Sequence, residues 1–277
     1  MTNAPGDNYI NRPIIEQIHL SDEPIKYGLH FHDSYQMIFV ISGMVRISFS
    51  RGRVYEAGAD SLIFISNLEE HSTVILEEPY KRYNMILAPP AMDRIIKDSR
   101  LLSVFKNRPR PPSFCNVLDV SSISGKVWDI FSSLHLEVQN HDEFTAEMLS
   151  CLLYELIISV YRSSYLNFPA SPENIPLQIY EIQKYIDNNF AQPISLSDLA
   201  KQHYISTSYM SHGFKKLTGY SPKQYLQLNR LSYSRDMLAN MDLTISEVAY
   251  RSGFSDVNNF IRAFKAYYGA TPGSIRK

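Results

Sequence analysis

Cysteine is nearly absent: 277 residues contain only Cys115 and Cys151, far apart in the chain. That spacing excludes a disulfide framework and a cysteine-built metal site, and it fits a reducing compartment. Long apolar runs are missing too. The most apolar stretch, residues 149–160, is interrupted by Glu155 and falls short of the roughly 18 residues a membrane-spanning helix needs, so it reads as a buried helix or helix interface. Residues 1–11 are polar and lack the charged start and apolar core of a secretion signal, so a cytoplasmic protein without a membrane partner is expected.

Net charge is also scarce, at -1, but its distribution is uneven. Residues 1–175 hold 15 Lys or Arg against 21 Asp or Glu, a balance of -6, whereas residues 176–277 hold 12 against 7, a balance of +5. An acidic half and a basic half are joined in one chain, whose length suits two domains of ordinary size.

The basic half contains the same short helical program twice. Ser197, Ala200 and Ser206 recur 49 residues later as Ser246, Ala249 and Ser255; past one extra residue, Phe214, Lys215, Gly219 and Pro222 recur 50 residues later as Phe264, Lys265, Gly269 and Pro272. Each copy reads as a short helix, a turn and a second helix, with Ser206 and Ser255 expected as the caps of the second helices. In the first copy Met210, Phe214 and Leu217 repeat at helical spacing and are expected inside. Thr207, Ser208, Ser211, His212 and Lys215 are left outward, with Lys216 beside them. In the second, Phe260 and Phe264 point in, and Val257, Asn258, Ile261, Arg262 and Lys265 point out. A long helix from Pro222 to about Leu238 joins the copies. A helix-turn-helix with an exposed polar second helix is built to enter a DNA major groove, and two in a basic domain reinforce each other. Asn258 suits adenine, Arg262 guanine, Ile261 a thymine methyl, and Lys215, Lys216 and Lys265 suit phosphates. His212 is a weaker or protonation-dependent base contact. Gly213, inside the second helix, costs up to about 1 kcal/mol relative to Ala.

The acidic half shows short β-rich runs at Tyr35 to Ile41, Met44 to Ser50, Ser61 to Ser66, Ser72 to Leu76 and Tyr83 to Leu87, with hairpin turns expected at Ser42-Gly43 and Arg51-Gly52 and a tight turn at Gly58-Ala59-Asp60. Within them His30, His32 and Gln36 share strand parity. This spacing, continued to Gly43, resembles the first motif of the cupin family, a small double-sheet barrel that can hold a metal on two His and a Glu, and His71 stands where the second motif often adds a His. Gln36 in place of Glu and Ser66-Asn67-Leu68 in place of the usual Pro-x-Gly turn depart from that motif. Three readings stay open: a metal site, histidines that merely pack, and a pocket for a small organic ligand. The last is adopted, with no metal or cofactor, and its candidate contacts are His30, His32, Gln36, Arg46, His71 and Tyr83. Arg46 faces the ligand or the solvent according to which parity of the strand is inside.

Arg108-Pro109-Arg110-Pro111-Pro112 reads as a stiff connector. Helices over Ser121 to Glu137 and Asp142 to Tyr161 follow as an antiparallel pair, which either covers the barrel or forms a two-fold interface. Residues 170–174 read as a polar linker.

The residues Gly253-Phe254-Ser255, Phe260, Arg262, Phe264-Lys265, Gly269, Pro272 and Arg276 resemble the second-unit signature of the AraC/XylS transcriptional regulators; Ser206, Met210-Ser211, Phe214-Lys215-Lys216, Gly219 and Pro222 are similar to the first. The resemblance implies an α+β multidomain protein: a cupin-like antiparallel β-barrel that binds an effector (1–115), a helical linker or dimerisation pair (116–170) and an all-α domain with two helix-turn-helix units (171–277). It implies second helices entering successive major grooves of promoter DNA, a small-molecule effector such as a sugar or related metabolite, a homodimer, and RNA polymerase as a further partner. A metal-dependent cupin enzyme tethered to DNA and a constitutive DNA binder with a structural barrel are the alternatives.

Overall fold

The computed structural model describes residues 12–23, 28–49, 52–107, 116–169, 176–240 and 242–275. Cys115, Ser50, Arg51, the connector at 108–112, the linker at 170–174, the first 11 residues and Arg276 lie outside them. The chain divides into two compact units, of which one spans Arg12–Glu173 and the other contains Asn174–Lys277.

The first unit is built on one antiparallel sheet of β1 (Ile15–Ser21), β2 (Tyr35–Phe49), β3 (Arg53–Ala57), β4 (Ser61–Ile65), β5 (His71–Leu87) and β6 (Val117–Asp119). The strand order is β1-β5-β2-β4-β6, with β3 paired to β2. Two long strands replace four of the expected short ones, because Ser42-Gly43 is no hairpin turn in β2 and residues 77–82 continue the strand in β5. β2 and β5 stay paired from Tyr35↔Leu87 to Phe49↔His71, with irregularities between Val40 and Val45. At that bend Gly43 has φ +76, and a Cβ there would lie 2.5 Å from the Glu77 carbonyl oxygen and 2.8 Å from that of Pro79. Only glycine lets the two strands bend together so closely. The expected turn at Arg51-Gly52 falls partly outside the described residues, with Phe49 and Arg53 paired on either side of it; the one at Gly58-Ala59-Asp60 lies where expected, closed by Ser61 N–H on the Gly58 carbonyl at 3.2 Å.

The bend gives the sheet two apolar faces. On the inner face Ile38, Val40, Val45, Ile47, Phe49, Ile63, Ile65 and Tyr80 pack together. The outer face, with Met37, Phe39, Phe64, Tyr83 and Met85, packs against α3 (Ser124–Glu137) and α4 (Thr145–Ser164). The short helices α1 (Pro89–Ile95) and α2 (Ser103–Lys106), which sequence periodicity is too brief to announce, contribute Met92 and Phe105 to the same core. The α4 stripe expected to be wide enough for a partner is largely used within the unit: Leu149, Leu153, Leu156, Ile157 and Val160 are buried in this core. The helix pair is thus part of the sheet's unit.

The second unit consists of α5 (Leu177–Asn189), α6 (Leu196–Gln202), α7 (Thr207–Thr218), α8 (Pro222–Asn240), α9 (Ile245–Arg251), α10 (Val257–Tyr268) and α11 (Pro272–Ile275). Caps start the helices where the repeat places them. Ser195 accepts from Asp198 N–H and Ser206 from Tyr209 N–H, while Thr244 and Glu247 form a reciprocal capping box. The cap of α10 is Asp256, not Ser255: its carboxylate accepts from Asn259 N–H at 2.9 Å. The turn bonds Ile205 N–H to Ala200 and Phe254 N–H to Ala249 still match at 49 residues, whereas the caps match at 50. Ser255 is therefore the extra residue of the second copy.

Both turns need a left-handed residue. Tyr204 (φ +57) takes that position in the first copy and Gly253 (φ +91) in the second. They differ in surroundings. Tyr204 is 96% exposed, whereas a Cβ at Gly253 would lie 2.8 Å from the Phe190 carbonyl oxygen and 2.9 Å from that of Ala191 and from Arg230 Nε. Arg230, on α8, donates to the carbonyls of Phe190 (2.7 Å) and Gln192 (2.9 Å) just past α5, and burial lowers its pKa. Gly253→Ala is expected to destabilise this unit by about 2 to 4 kcal/mol through left-handed strain plus backbone overlap. Tyr204→Gly should change stability by less than about 1 kcal/mol, since strain relief offsets the added chain entropy. Urea denaturation of the two variants distinguishes the two turns.

Candidate nucleic-acid interface and effector pocket

The two second helices present their polar faces as the periodicity requires. Met210, Phe214 and Leu217 of α7 and Phe260 and Phe264 of α10 are buried. On α7 Thr207, Ser208, His212, Lys215 and Lys216 are exposed and Ser211 is half-buried; on α10 Asn258, Arg262 and Lys265 are exposed. Val257 and Ile261 are not fully outward. Both pack against the core of the second copy and are half-buried, so each offers DNA at most an edge. Neither helix contains an acidic residue, which leaves Lys215, Lys216, Arg262 and Lys265 to set the sign of the surface.

Two exposed residues of the same faces escape the sequence pattern. Tyr209 and Asn259, 50 residues apart, each follow the cap by three positions and face solvent. An aromatic residue near a helix start reads as core; the 50-residue offset to a polar Asn is the signal that marks it as surface. Gly213 has a packing reason. A Cβ there would meet Ile179 Cδ1 and Cγ1 at 3.1 Å, so its smallness lets α5 lie close against α7.

The predicted pocket residues divide into those that converge and those that do not. His30 and His71 exchange backbone hydrogen bonds of 2.9 and 2.8 Å, and their rings lie 4.3 Å apart, with His32 at 5.3 Å from His71 and 6.3 Å from His30. Each ring is oriented by a backbone carbonyl: Nδ1 of His30, His32 and His71 lies 2.9, 2.7 and 2.9 Å from the oxygens of Gly28, Ser34 and Glu69. His32 Nε2 lies 3.1 Å from Gln36 Oε1, and Gln36 Nε2 donates to Asn84 Oδ1 at 2.6 Å. His30, His32, Gln36 and His71 thus form one cluster, which Asn84 joins.

Buried ion pairs hold the segments that carry these rings. Arg53 bridges Glu69 at 2.6 Å, and Glu69 also accepts from Ser66 N–H and the Asn116 amide, fixing the loop before His71. Arg12 pairs with Asp33 at 2.7 Å and with Glu16, which accepts from the Ser34 hydroxyl. Burial lowers the pKa of His32 and pushes that of His71 down to about 3. Among the described residues, no group of three His, Cys, Asp or Glu is arranged to hold a metal ion.

Arg46 and Tyr83 do not belong to this cluster. Val45, Ile47 and Phe49 occupy the inner parity of β2, so Arg46 points outward, where it pairs with Glu56 of β3 at 2.6 Å. Tyr83 faces α3: its ring packs with Trp128, Phe131 and His135, and its hydroxyl lies 3.2 Å from Ser132 Oγ.

Comparison with known proteins bears on both units. A model of the AraC-like ligand binding domain matches residues 13–157, just over half of the chain, and a helix-turn-helix domain model matches residues 199–277. The chain is similar to the Msm operon regulatory protein of Streptococcus mutans, 23% identical over 261 residues that cover 92% of this chain and 88% of the relative. It is also similar to the transcriptional activator RhaS of Klebsiella pneumoniae, 24% identical over 248 residues that cover 90% and 87%. Among solved structures ToxT from Vibrio cholerae shares the fold, with a TM-score of 0.59 at 15% identity over 93% of this chain and 96% of ToxT. Among the described residues no helix is long and apolar enough to cross a membrane.

The depressed His71 pKa makes stability depend on pH. The unfolded chain binds a proton at the ordinary value of 6.5, whereas folded His71 takes one only near 3. Its contribution is complete above pH 6.5 and is lost as pH falls from there toward 3. Urea denaturation between pH 7 and 4.5 should show His71→Gln losing stability less steeply than the wild type, by about 1 kcal/mol per pH unit.

Proposed function

This chain belongs to the AraC family of transcriptional regulators, and we propose that it binds promoter DNA through α7 and α10 under the control of a small organic effector held by the inner face of its sheet. The observation that carries the DNA reading is the pair of acid-free helices whose exposed faces hold Asn258, Arg262 and Lys265 in one copy and Ser208, His212, Lys215 and Lys216 in the other. Arg262 is suited to a bidentate contact with guanine and Asn258 to one with adenine; the lysines suit phosphates. The readers are unequal. With Ser208, Tyr209 and His212 at the positions of Asn258, Asn259 and Arg262, the first depends more on DNA shape and backbone.

The effector reading is supported by the histidine cluster with Gln36 and Asn84, a set of polar donors and acceptors at the edge of an apolar inner face. Control requires the effector to bind two conformations with different affinity. The RhaS relative is a transcriptional activator, which supports activation as the direction of control; RNA polymerase as a partner and a cytoplasmic setting complete the proposal. A homodimer is supported by Leu136 and Phe144, 66% and 64% exposed near the connection of α3 and α4, with Met148 one turn further on. Domain limits of 1–115, 116–170 and 171–277 remain the functional division we assign: sensing, dimerisation and DNA binding.

Two experiments test these roles. Arg262→Ala should weaken specific operator binding by about 1 to 3 kcal/mol and relax preference at one base pair, whereas Lys265→Ala should weaken all sequences alike and reduce the salt slope by about 1. Fluorescence anisotropy with operator and scrambled duplexes reads both, and unaltered operator binding by the Arg262 variant would sink the DNA assignment. Phe144→Glu with Met148→Glu should shift sedimentation from dimer to monomer without unfolding the protein; an unchanged dimer removes that patch from the interface.

A further inference from the structure

The inner face of the sheet contains a cation that no side chain neutralises among the described residues. Tyr80, Arg82 and Asn84 alternate along β5 onto that face: Arg82 pairs across with Val40 and Asn84 with Ile38, both residues of the inner core. Arg82 is only 8% exposed. Its Nη1 donates to the Glu23 carbonyl at 2.8 Å, and its Cζ sits 4.9 Å from the centre of the Tyr80 ring. Among the described residues no carboxylate pairs with it, although the partly buried arginines of the same unit are paired, Arg12 with Glu16 and Asp33 and Arg53 with Glu69. Buried charges are ordinarily paired, and a guanidinium has five N–H donors in a planar fork suited to an oxyanion.

A second orphan adjoins it. Tyr80 is 1% exposed, and among the described residues its hydroxyl has no hydrogen-bond partner. Burial pushes its pKa up to about 12, so it stays a donor at neutral pH. One pleat further along, Asn84 joins Gln36 and His32 in the polar chain, and His19 of β1 lies across from Asn84. The order along the face is therefore a phenol donor, a guanidinium fork, then amides and imidazoles.

We propose that the effector is a small hydroxylated organic anion, whose oxyanion group docks on the open edge of Arg82 and accepts from the Tyr80 hydroxyl while its hydroxyl groups meet Asn84, Gln36 and the histidines. This names the ligand class of the sensor described above and rests on that reading. The apolar inner face beside Arg82 favours a carboxylate over the more strongly hydrated phosphate, and the source is left to the experiment to separate.

The test uses the full chain in differential scanning fluorimetry at constant ionic strength, with glucuronate and gluconate as carboxylates, glucose and sorbitol as their neutral counterparts, and glucose 6-phosphate as the phosphate arm. Carboxylates should raise the Tm of the wild type, neutral counterparts should not, and Arg82→Met should abolish the shift; by titration calorimetry it should bind about 10- to 100-fold more weakly. A response to glucose 6-phosphate alone that vanishes in Arg82→Met keeps the oxyanion site and assigns it to phosphate. Without ligand, Arg82→Met and Tyr80→Phe should melt no lower than the wild type: the second removes a hydroxyl without a partner among the described residues, and the first exchanges one hydrogen bond to the Glu23 carbonyl for relief of a buried charge that no described carboxylate neutralises. An Arg82→Met variant that melts well below the wild type, or that keeps the carboxylate shift, would overturn the proposal by making Arg82 structural or irrelevant. Neutral sugars acting on both proteins would overturn the anion but leave the sensor standing; no shift with any probe removes support from both.

Discussion

Two places where backbone meets backbone without room for a Cβ govern much of this molecule. At Gly43 the two long strands bend together against the carbonyls of Glu77 and Pro79, and that bend gives the sheet an inner face. At Gly253 the second helix-turn-helix closes against the carbonyls of Phe190 and Ala191, which Arg230 also engages from the long helix. In the second unit, one arginine and one glycine thus tie the end of α5, the connecting helix and the second turn into a single contact. Side chains elsewhere can relax; these contacts cannot, because peptide groups have no alternative rotamers.

The polar groups of the first unit follow a division of labour between paired and unpaired charge. Arg12 and Arg53 are neutralised by Glu16, Asp33 and Glu69, and these pairs hold the segments on either side of the histidines. Burial disfavours the charged forms of His32 and His71, and backbone carbonyls orient both rings. Removing one partner of such a buried pair is expensive because it strands the other charge.

Much of this was legible in the sequence where spacing and chemistry coincide. The repeat was visible because caps, buried phenylalanines and helix-ending glycines recur at fixed offsets, and the one-residue slip foretold an insertion without locating it at Ser255. The first unit was read less well. Glycine marks both turns and bulges, so Gly43 looked like a hairpin. Arg46 could be assigned only once its cross-strand neighbour Glu56 was known, and Tyr83 only once α3 was seen to cover that face. Arg82 and Asn84 sit in a run whose alternation is plain but whose inner side depends on tertiary pairing. Tyr209 was hidden because aromatic character suggests burial.

The connecting helix α8 also behaves as a gear. Its 19 residues span about 28 Å, and each residue added or removed would turn the second helix-turn-helix by about 100° relative to the first while moving it only about 1.5 Å. Length in this segment is therefore quantised in angle: a single insertion swings one reader toward another side of the unit and pulls Arg230 out of line with Gly253. Evolution can retune either reading face one side chain at a time, but the interval between them can change only by steps that reset its phase.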